Sequence, residues 1–331
     1  AKRLAFARKS KIDNDGVSSI NKDAFSKVFT FTLSCSHSCF SNFPVLNFSE
    51  DRFVSEEIKR VINCTDDISR EKNATGILLS TAAVSQIEGA GGGGLVSWAT
   101  LSGYDSREQI SSTAFFSQVN VDDFTLKAFG ASVSFYDRIE VSVAKHNFTI
   151  DATGLKLQQD IFGIKTRLYG DVIYSPLPQV SLGMQYKTLK DSTLVDSLSV
   201  NNNAHGADFY LSLAKVNLGV FFGFNTLWNT TLRYTNANQV GLLGFGGPKN
   251  SSRELVLEAS AAFLLNRYLS VGAEYRQKPN NLNLVEDDWH DLFISYSPNK
   301  SLSLTLAWLQ LGTVAGASSQ DGLYMSLVGH L

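Results

Sequence analysis

Glu254-Leu255-Val256-Leu257-Glu258-Ala259-Ser260-Ala261-Ala262-Phe263-Leu264-Leu265 is followed by Asn266-Arg267-Tyr268 and then by Leu269-Ser270-Val271-Gly272-Ala273-Glu274-Tyr275-Arg276-Gln277. In the first run Leu255, Leu257, Ala259, Ala261 and Phe263 alternate with Glu254, Glu258 and Ser260. In the second, Leu269, Val271, Ala273 and Tyr275 alternate with Ser270, Glu274 and Arg276. A period of two is that of a strand with two unlike faces, and a short polar link between two such runs makes an antiparallel hairpin. Paired residues must point to the same side. The hairpin therefore sets Phe263 opposite Val271, Glu258 opposite Arg276 and Ser260 beside Glu274. A slip of one residue would carry the charges onto the apolar face.

The same pattern extends in both directions. Val180, Leu182, Met184 and Tyr186 alternate with Ser181, Gly183, Gln185 and Lys187. Ile164, Thr166, Leu168, Val172 and Tyr174 are predicted on one face, and Lys165, Arg167, Tyr169 and Asp171 on the other. Leu126 is out of phase in Phe124–Phe135, and around Tyr136-Asp137-Arg138 Val133 is set opposite Val141 and Ser134 opposite Glu140. Twelve strand-like runs are predicted between residues 112 and 331, rich in Val, Leu, Phe, Tyr and Ser.

Their links alternate between short ones (136–138, 175–179, 266–268, 297–301) and long polar ones (150–160, 189–206, 236–253, 278–287, 312–321). Val216–Asn225 breaks the rule, as a link of about ten residues holding Phe221, Phe222 and Phe224. Short turns on one side and long loops on the other mark outer-membrane barrels, and an even strand count returns both ends of the sheet to the periplasm. The predicted fold is thus all-β: an antiparallel, up-and-down transmembrane β-barrel of about 12 strands over residues 112–331. A secreted β-sandwich alternates too, but with no ordered succession of short and long links.

Composition agrees. The 331 residues carry a formal net charge of -2 and a mean hydropathy of -0.04. The charge gives no electrostatic footprint for nucleic acid. Neutral hydropathy argues against a bundle of membrane helices but not against a barrel, whose two faces average out. Ser301–Gln320 has no charge and the length of a membrane helix, yet Ser301–Trp308 alternates as a strand does. Cys35, Cys39 and Cys64 are the cysteines. No second ligand pair follows at metal-site spacing, and the cysteine-free remainder suits an oxidising compartment.

Residues 1–72 show no sustained period and are expected to be disordered or an extension outside the working protein. Arg70-Glu71-Lys72 precedes the short apolar run Ala74–Ser85, the order of a secretory signal peptide over residues 73–86, with a cut near Ser85 or Gln86. Residues 87–111 form a Gly-rich periplasmic segment or plug. Within it Gly89–Gly94 (GAGGGG) lacks the following Gly-Lys-Ser/Thr of a phosphate loop and is expected to be a flexible linker.

The candidate lumen-lining residues are Lys165, Arg167, Asp171, Lys187, Glu258, Glu274 and Arg276. In an open barrel such charges set ion preference; in a narrow one they are struts. Glu258, Glu274 and Arg276 are expected near the outer mouth. A lipid-acting membrane enzyme would need a Ser-His pair within reach. His146, His205 and His290 have no spacing that singles them out, so the chain is read as no enzyme and without cofactor. Asp122-Asp123 and Glu286–Asp291 are acidic but match no calcium loop. The expected function is a narrow, porin-like channel for small polar or amphipathic solutes, with a non-conducting structural or adhesion barrel and a lipid-acting membrane enzyme as the alternatives. The expected surroundings are the lipid and lipopolysaccharide of a bacterial outer membrane, with no nucleic acid.

Several stretches carry a family resemblance. They are Gly94–Tyr104 (GLVSWATLSGY), Val121–Lys127 (VDDFTLK), Tyr136-Asp137-Arg138, Gly241–Gly247 (GLLGFGG), Leu264–Arg267 (LLNR), Val271–Pro279 (VGAEYRQKP) and Glu286–Trp289 (EDDW). Together they resemble the domain-of-unknown-function family 3034 of proteobacteria, over about residues 88–331. The resemblance implies a secreted outer-membrane protein and supplies no reaction. The C-terminus departs from the usual barrel-assembly signal, since Leu331 is last and Gly329 stands where an aromatic is usual.

Overall fold

The structure is a computed structural model that describes residues 84–190, 203–282, 284 and 286–331. Residues 1–72, the three cysteines and most of the signal-like segment lie outside the described residues.

Two short strands, β1 (Val84–Ser85) and β2 (Gly91–Gly92), pair with each other and lie outside the larger sheet. Twelve more follow: β3 (Ile110–Val121), β4 (Phe124–Phe135), β5 (Ile139–Ile150), β6 (Leu155–Tyr169), β7 (Gln179–Leu189), β8 (His205–Phe221), β9 (Phe224–Thr235), β10 (Glu254–Leu264), β11 (Leu269–Arg276), β12 (Trp289–Asn299), β13 (Leu302–Gln310) and β14 (Asp321–His330). Each pairs antiparallel with its sequence neighbours, and β14 pairs with β3, so the sheet closes. Among the described residues no helix is long and apolar enough to cross a membrane.

The register is the one that the two faces require. Phe263 lies opposite Val271, Glu258 opposite Arg276 and Ser260 opposite Glu274. Val133 lies opposite Val141, and Ser134 opposite Glu140. Burial along the strands is inverted relative to a water-soluble sheet. On β12, Leu292, Ile294 and Tyr296 are exposed while Asp291, Ser295 and Ser297 are buried. On β10, Leu255, Leu257 and Phe263 face out, and Glu258 and Ser260 face in. A polar interior with an apolar exterior is the arrangement hydrocarbon demands of a closed sheet.

The structure revises three local expectations. The Val216–Asn225 link does not exist as a loop. β8 and β9 run on to the turn Phe222-Gly223, whose φ values of 49 and 82 are both positive, as a tight hairpin turn requires. β6 begins earlier than expected, at Leu155, and ends at Tyr169, with a shift of register between Arg167 and Tyr169. That shift turns Tyr169 outward, buries Val172 and leaves Asp171 in the Gly170–Pro178 link rather than on the strand. Finally, the Gly-rich run is no flexible linker: Gly89–Gly94 are all buried.

All the β4–β5, β6–β7, β8–β9, β10–β11 and β12–β13 links lie at one end, here the turn end. The end of β7 and the start of β8, with the long links β9–β10, β11–β12 and β13–β14, lie at the other, the loop end. Ile294, between Leu306 and Val271 on the neighbouring strands, is midway along β12 on the outer face. Ile294→Arg is expected to cost about 2–4 kcal/mol of stability in lipid vesicles, measured by denaturant unfolding. An unchanged midpoint would mean that this face does not meet hydrocarbon.

Candidate functional site: the filled lumen

Inward-facing polar residues of a barrel need partners once water is excluded. Here residues 85–105 supply them. This inner segment folds back on itself through β1 and β2 and through Gly93 N–H donating to Val96 O at 2.9 Å. The glycines permit the crowding: a Cβ on Gly92 would overlap the Val96 carbonyl, and one on Gly93 would overlap the Glu274 carboxylate.

The wall then binds the segment's backbone. Toward the turn end, Glu140 accepts hydrogen bonds from Gly91 N (3.0 Å) and Ser102 N (2.7 Å). Lys165 Nζ donates to the carbonyls of Gly91 (2.8 Å), Trp98 (3.2 Å) and Thr100 (2.8 Å), and it pairs with Glu140 at 3.3 Å. Across the lumen, Glu274 accepts from Leu95 N at 2.7 Å and from the Trp98 indole at 3.3 Å. Glu258 accepts from Ser97 N at 3.3 Å, and Asn229 from Ala99 N at 3.0 Å.

A second cluster fills the loop-end half. Glu88, fully buried, pairs with Lys187, with Arg276 at 2.9 Å and with Arg233 at 3.8 Å. Lys187 also pairs with Asp208 at 2.6 Å, and Arg276 with Glu258 at 3.4 Å. Arg233 reaches both Asp208 and Glu258. Arg276 further donates to Leu95 O at 2.8 Å.

Of the residues singled out from sequence, Lys165, Arg167, Lys187, Glu258, Glu274 and Arg276 all point inward and are buried. The structure divides them among different partners. Lys165 ties the segment at the turn-end cluster. Lys187 and Arg276 join at Glu88, Glu258 pairs with Arg276 and Arg233, and Glu274 holds Leu95. Arg167 and Asp171 form a separate pair at the turn end, 3.0 Å apart, with Asp137 on the other side of Arg167. Sequence reasoning missed Glu88, Glu140, Asp208, Asn229 and Arg233 as site residues. Alternation alone could have placed Arg233 and Glu140 inward, but nothing local marks Glu88. It also missed Asp291, buried opposite Glu274.

Above the charges, at the loop end, the interior turns apolar. Phe124 and Leu126 of β4 point inward there, which explains the odd phase of Leu126. With Ile87, Leu95, Leu309 and Val240 they line a cavity of about 50 Å³. The β9–β10 link contributes Val240, Leu242 and Leu243, tucked into the barrel mouth by Asn203–Phe245 and Ala237–Phe245 bridges. The acidic stretches are absorbed locally. Asp123 bonds Gln320 at 2.7 Å, Glu286 pairs with Lys278 at 3.1 Å, and Asp288 accepts from Tyr275 at 2.6 Å. Among the described residues, no three His, Cys, Asp or Glu side chains converge as a metal site would need.

Such a sheet, closed and inside out, defines a β-barrel of the kind that membranes accept, filled by a stretch of its own chain. Residues 81–328 match the family described as "Protein of unknown function (DUF3034)", and the chain belongs to that family. No curated protein matches it. Among solved structures it is similar to the KdgM porin (9% identity, TM-score 0.41, covering 66% of this chain and 98% of that one). It is also similar to Omp33 of Acinetobacter baumannii (8%, TM-score 0.44, covering 68% and 100%) and to the NanC porin (10%, TM-score 0.40, covering 67% and 98%).

Two predictions follow from the contacts. Lys165→Met leaves Glu140 charged and unpaired and strips three carbonyls of their donor. It is expected to cost about 3–5 kcal/mol and to speed hydrogen exchange at Gly91 and Ser102, read by mass spectrometry. At the turn end, outside the strands, Asp105 accepts from Asp137 N (2.7 Å) and Ser111 Oγ (2.9 Å), and burial pushes its carboxyl up to about 6. The folded state then holds a proton that the unfolded state releases between pH of roughly 4 and 6, so this group's contribution to stability falls as pH rises through that window. Wild type and Asp105→Asn should therefore differ in the slope of unfolding free energy against pH there, and parallel curves would refute the assignment.

Proposed function

We propose that this chain is a porin-like β-barrel of the bacterial outer membrane that passes small polar or amphipathic solutes and rests closed. The observation that carries the reading is the inverted sheet: a closed wall of twelve strands, apolar outside and charged inside. An apolar exterior suits contact with outer-membrane lipid and lipopolysaccharide. A charged interior is costly to a protein that needs only to sit in a membrane, and it suits a route for hydrophilic solutes. The inner segment crosses that route and is held there by hydrogen bonds and ion pairs that can be exchanged. In this reading Lys165, Arg167, Lys187, Glu258, Glu274 and Arg276 become the lining when the segment moves, with Asp171 at the turn end.

A second reading, a non-conducting structural barrel, is favoured by one observation: the wall charges are already paired with the segment. Planar-bilayer recordings separate the two. Glu140→Gln with Lys165→Met removes the turn-end ion pair and the three Lys165 hydrogen bonds while leaving the net charge of the interior unchanged. Wild type is expected to open rarely, and the double variant at least tenfold more often, both showing the heat-modifiable gel migration of a folded barrel. If both fold and neither conducts, the structural reading replaces the channel.

A further inference from the structure

Glu88 is the one acidic side chain that the inner segment brings to the loop-end cluster. On the wall around it, among the described residues, stand Lys187, Arg233 and Arg276 against Asp208 and Glu258. Three cations face two carboxylates, and the Glu88 carboxylate makes the set neutral. A buried cluster with one charge unmatched is strongly unfavourable. The wall thus specifies an anion at that point, and the arginines offer the planar donor geometry that suits a carboxylate.

Two neighbouring features say more. Gln159, fully buried beside the Lys187 stem and the Gly241 turn, has neither amide atom hydrogen-bonded. A buried amide without partners is rare in a finished core and offers both a donor and an acceptor to a polar head. The apolar cavity begins directly next to Glu88. Ile87 and Leu95 line it, Leu95 O is bonded by Arg276, and the Arg276 guanidinium lies 5.9 Å from the ring centre of Trp289, another lining residue.

We propose that Lys187, Arg233 and Arg276 form a carboxylate-binding site, occupied in this structure by the chain's own Glu88, and that the solute it serves is a small amphipathic carboxylate. Its head takes the place of Glu88, and its apolar body takes the space that Ile87 and Leu95 vacate as the segment withdraws, enlarging the cavity lined by Leu126, Leu309 and Val240. The solute would then release the segment by competing for the contacts that hold it. This identity of the solute rests on the channel reading; the binding site does not.

The test uses the full chain in lipid nanodiscs with octanoate, octanol and octyltrimethylammonium as probes, binding being read by calorimetry. Glu88→Gln keeps the side chain's shape and vacates the charge. It is expected to bind octanoate at least tenfold more tightly than wild type does, and at least tenfold more tightly than it binds either control. Adding Lys187→Met should abolish the gain. Equal binding of octanol and octanoate, or no binding of octanoate, overturns the proposal. Octanoate binding without conductance in any variant keeps the site and rejects the channel. Conductance without octanoate preference keeps the channel and rejects the site. Should Glu88→Gln fail to assemble, wild type decides. Octanoate, and not octanol, must then accelerate hydrogen exchange at Leu95 and Ser97; no acceleration overturns the proposal.

Discussion

Closure of the sheet is the constraint on which everything else rests. A strand inside hydrocarbon has no water to satisfy its peptide groups, and an open edge there would cost several kcal/mol per unbonded group. Pairing β14 with β3 removes the edge. Once the ring is shut, alternation forces half of every strand's side chains inward. The polar half goes in because the apolar half must go out, so the interior inherits a set of charges that the outside cannot accept.

Those charges then need neutralising partners, and the chain supplies them from its own N-terminal side. Backbone amides of the inner segment answer Glu140, Glu258 and Glu274, and its carbonyls answer Lys165 and Arg276. The glycines serve this end, because the segment must pass close to the wall carboxylates while folding on itself. The price of such a fit is that nothing in it is covalent.

The legible part of the fold was what period two encodes. The hairpin around Asn266-Arg267-Tyr268, the strand count and the inward faces of Lys187, Glu258 and Arg276 all follow from alternation plus the rule that paired residues share a side. Alternation failed where a bulge changes the phase, at Arg167–Tyr169, and so misplaced Asp171, Tyr169 and Val172. It failed again where a strand outruns the polar-apolar pattern, as β8 does between Val216 and Phe221. The role of the Gly-rich run was hidden for another reason. Its hydrogen-bond partners on the wall, Glu140 and Lys165, are far away in sequence, and a segment without a period of its own leaves composition as the sole guide. Composition says flexible; long-range hydrogen bonds say otherwise.

The hairpin of β8 and β9 has a consequence for how the molecule sits. Leu218, Val220, Phe221 and Phe222 stand exposed beyond the point where Asn217 still pairs with Thr226, so the apolar surface runs to the tip there, whereas the adjacent β10–β11 turn ends in Asn266-Arg267-Tyr268. A slab of uniform thickness cannot match a cylinder of uneven height. The mismatch is relieved by leaning the barrel toward this flank or by thickening the lipid beside it, each costing fractions of a kcal/mol per ångström. An uneven apolar outline of this kind couples the posture of the barrel to the thickness of the lipid around it.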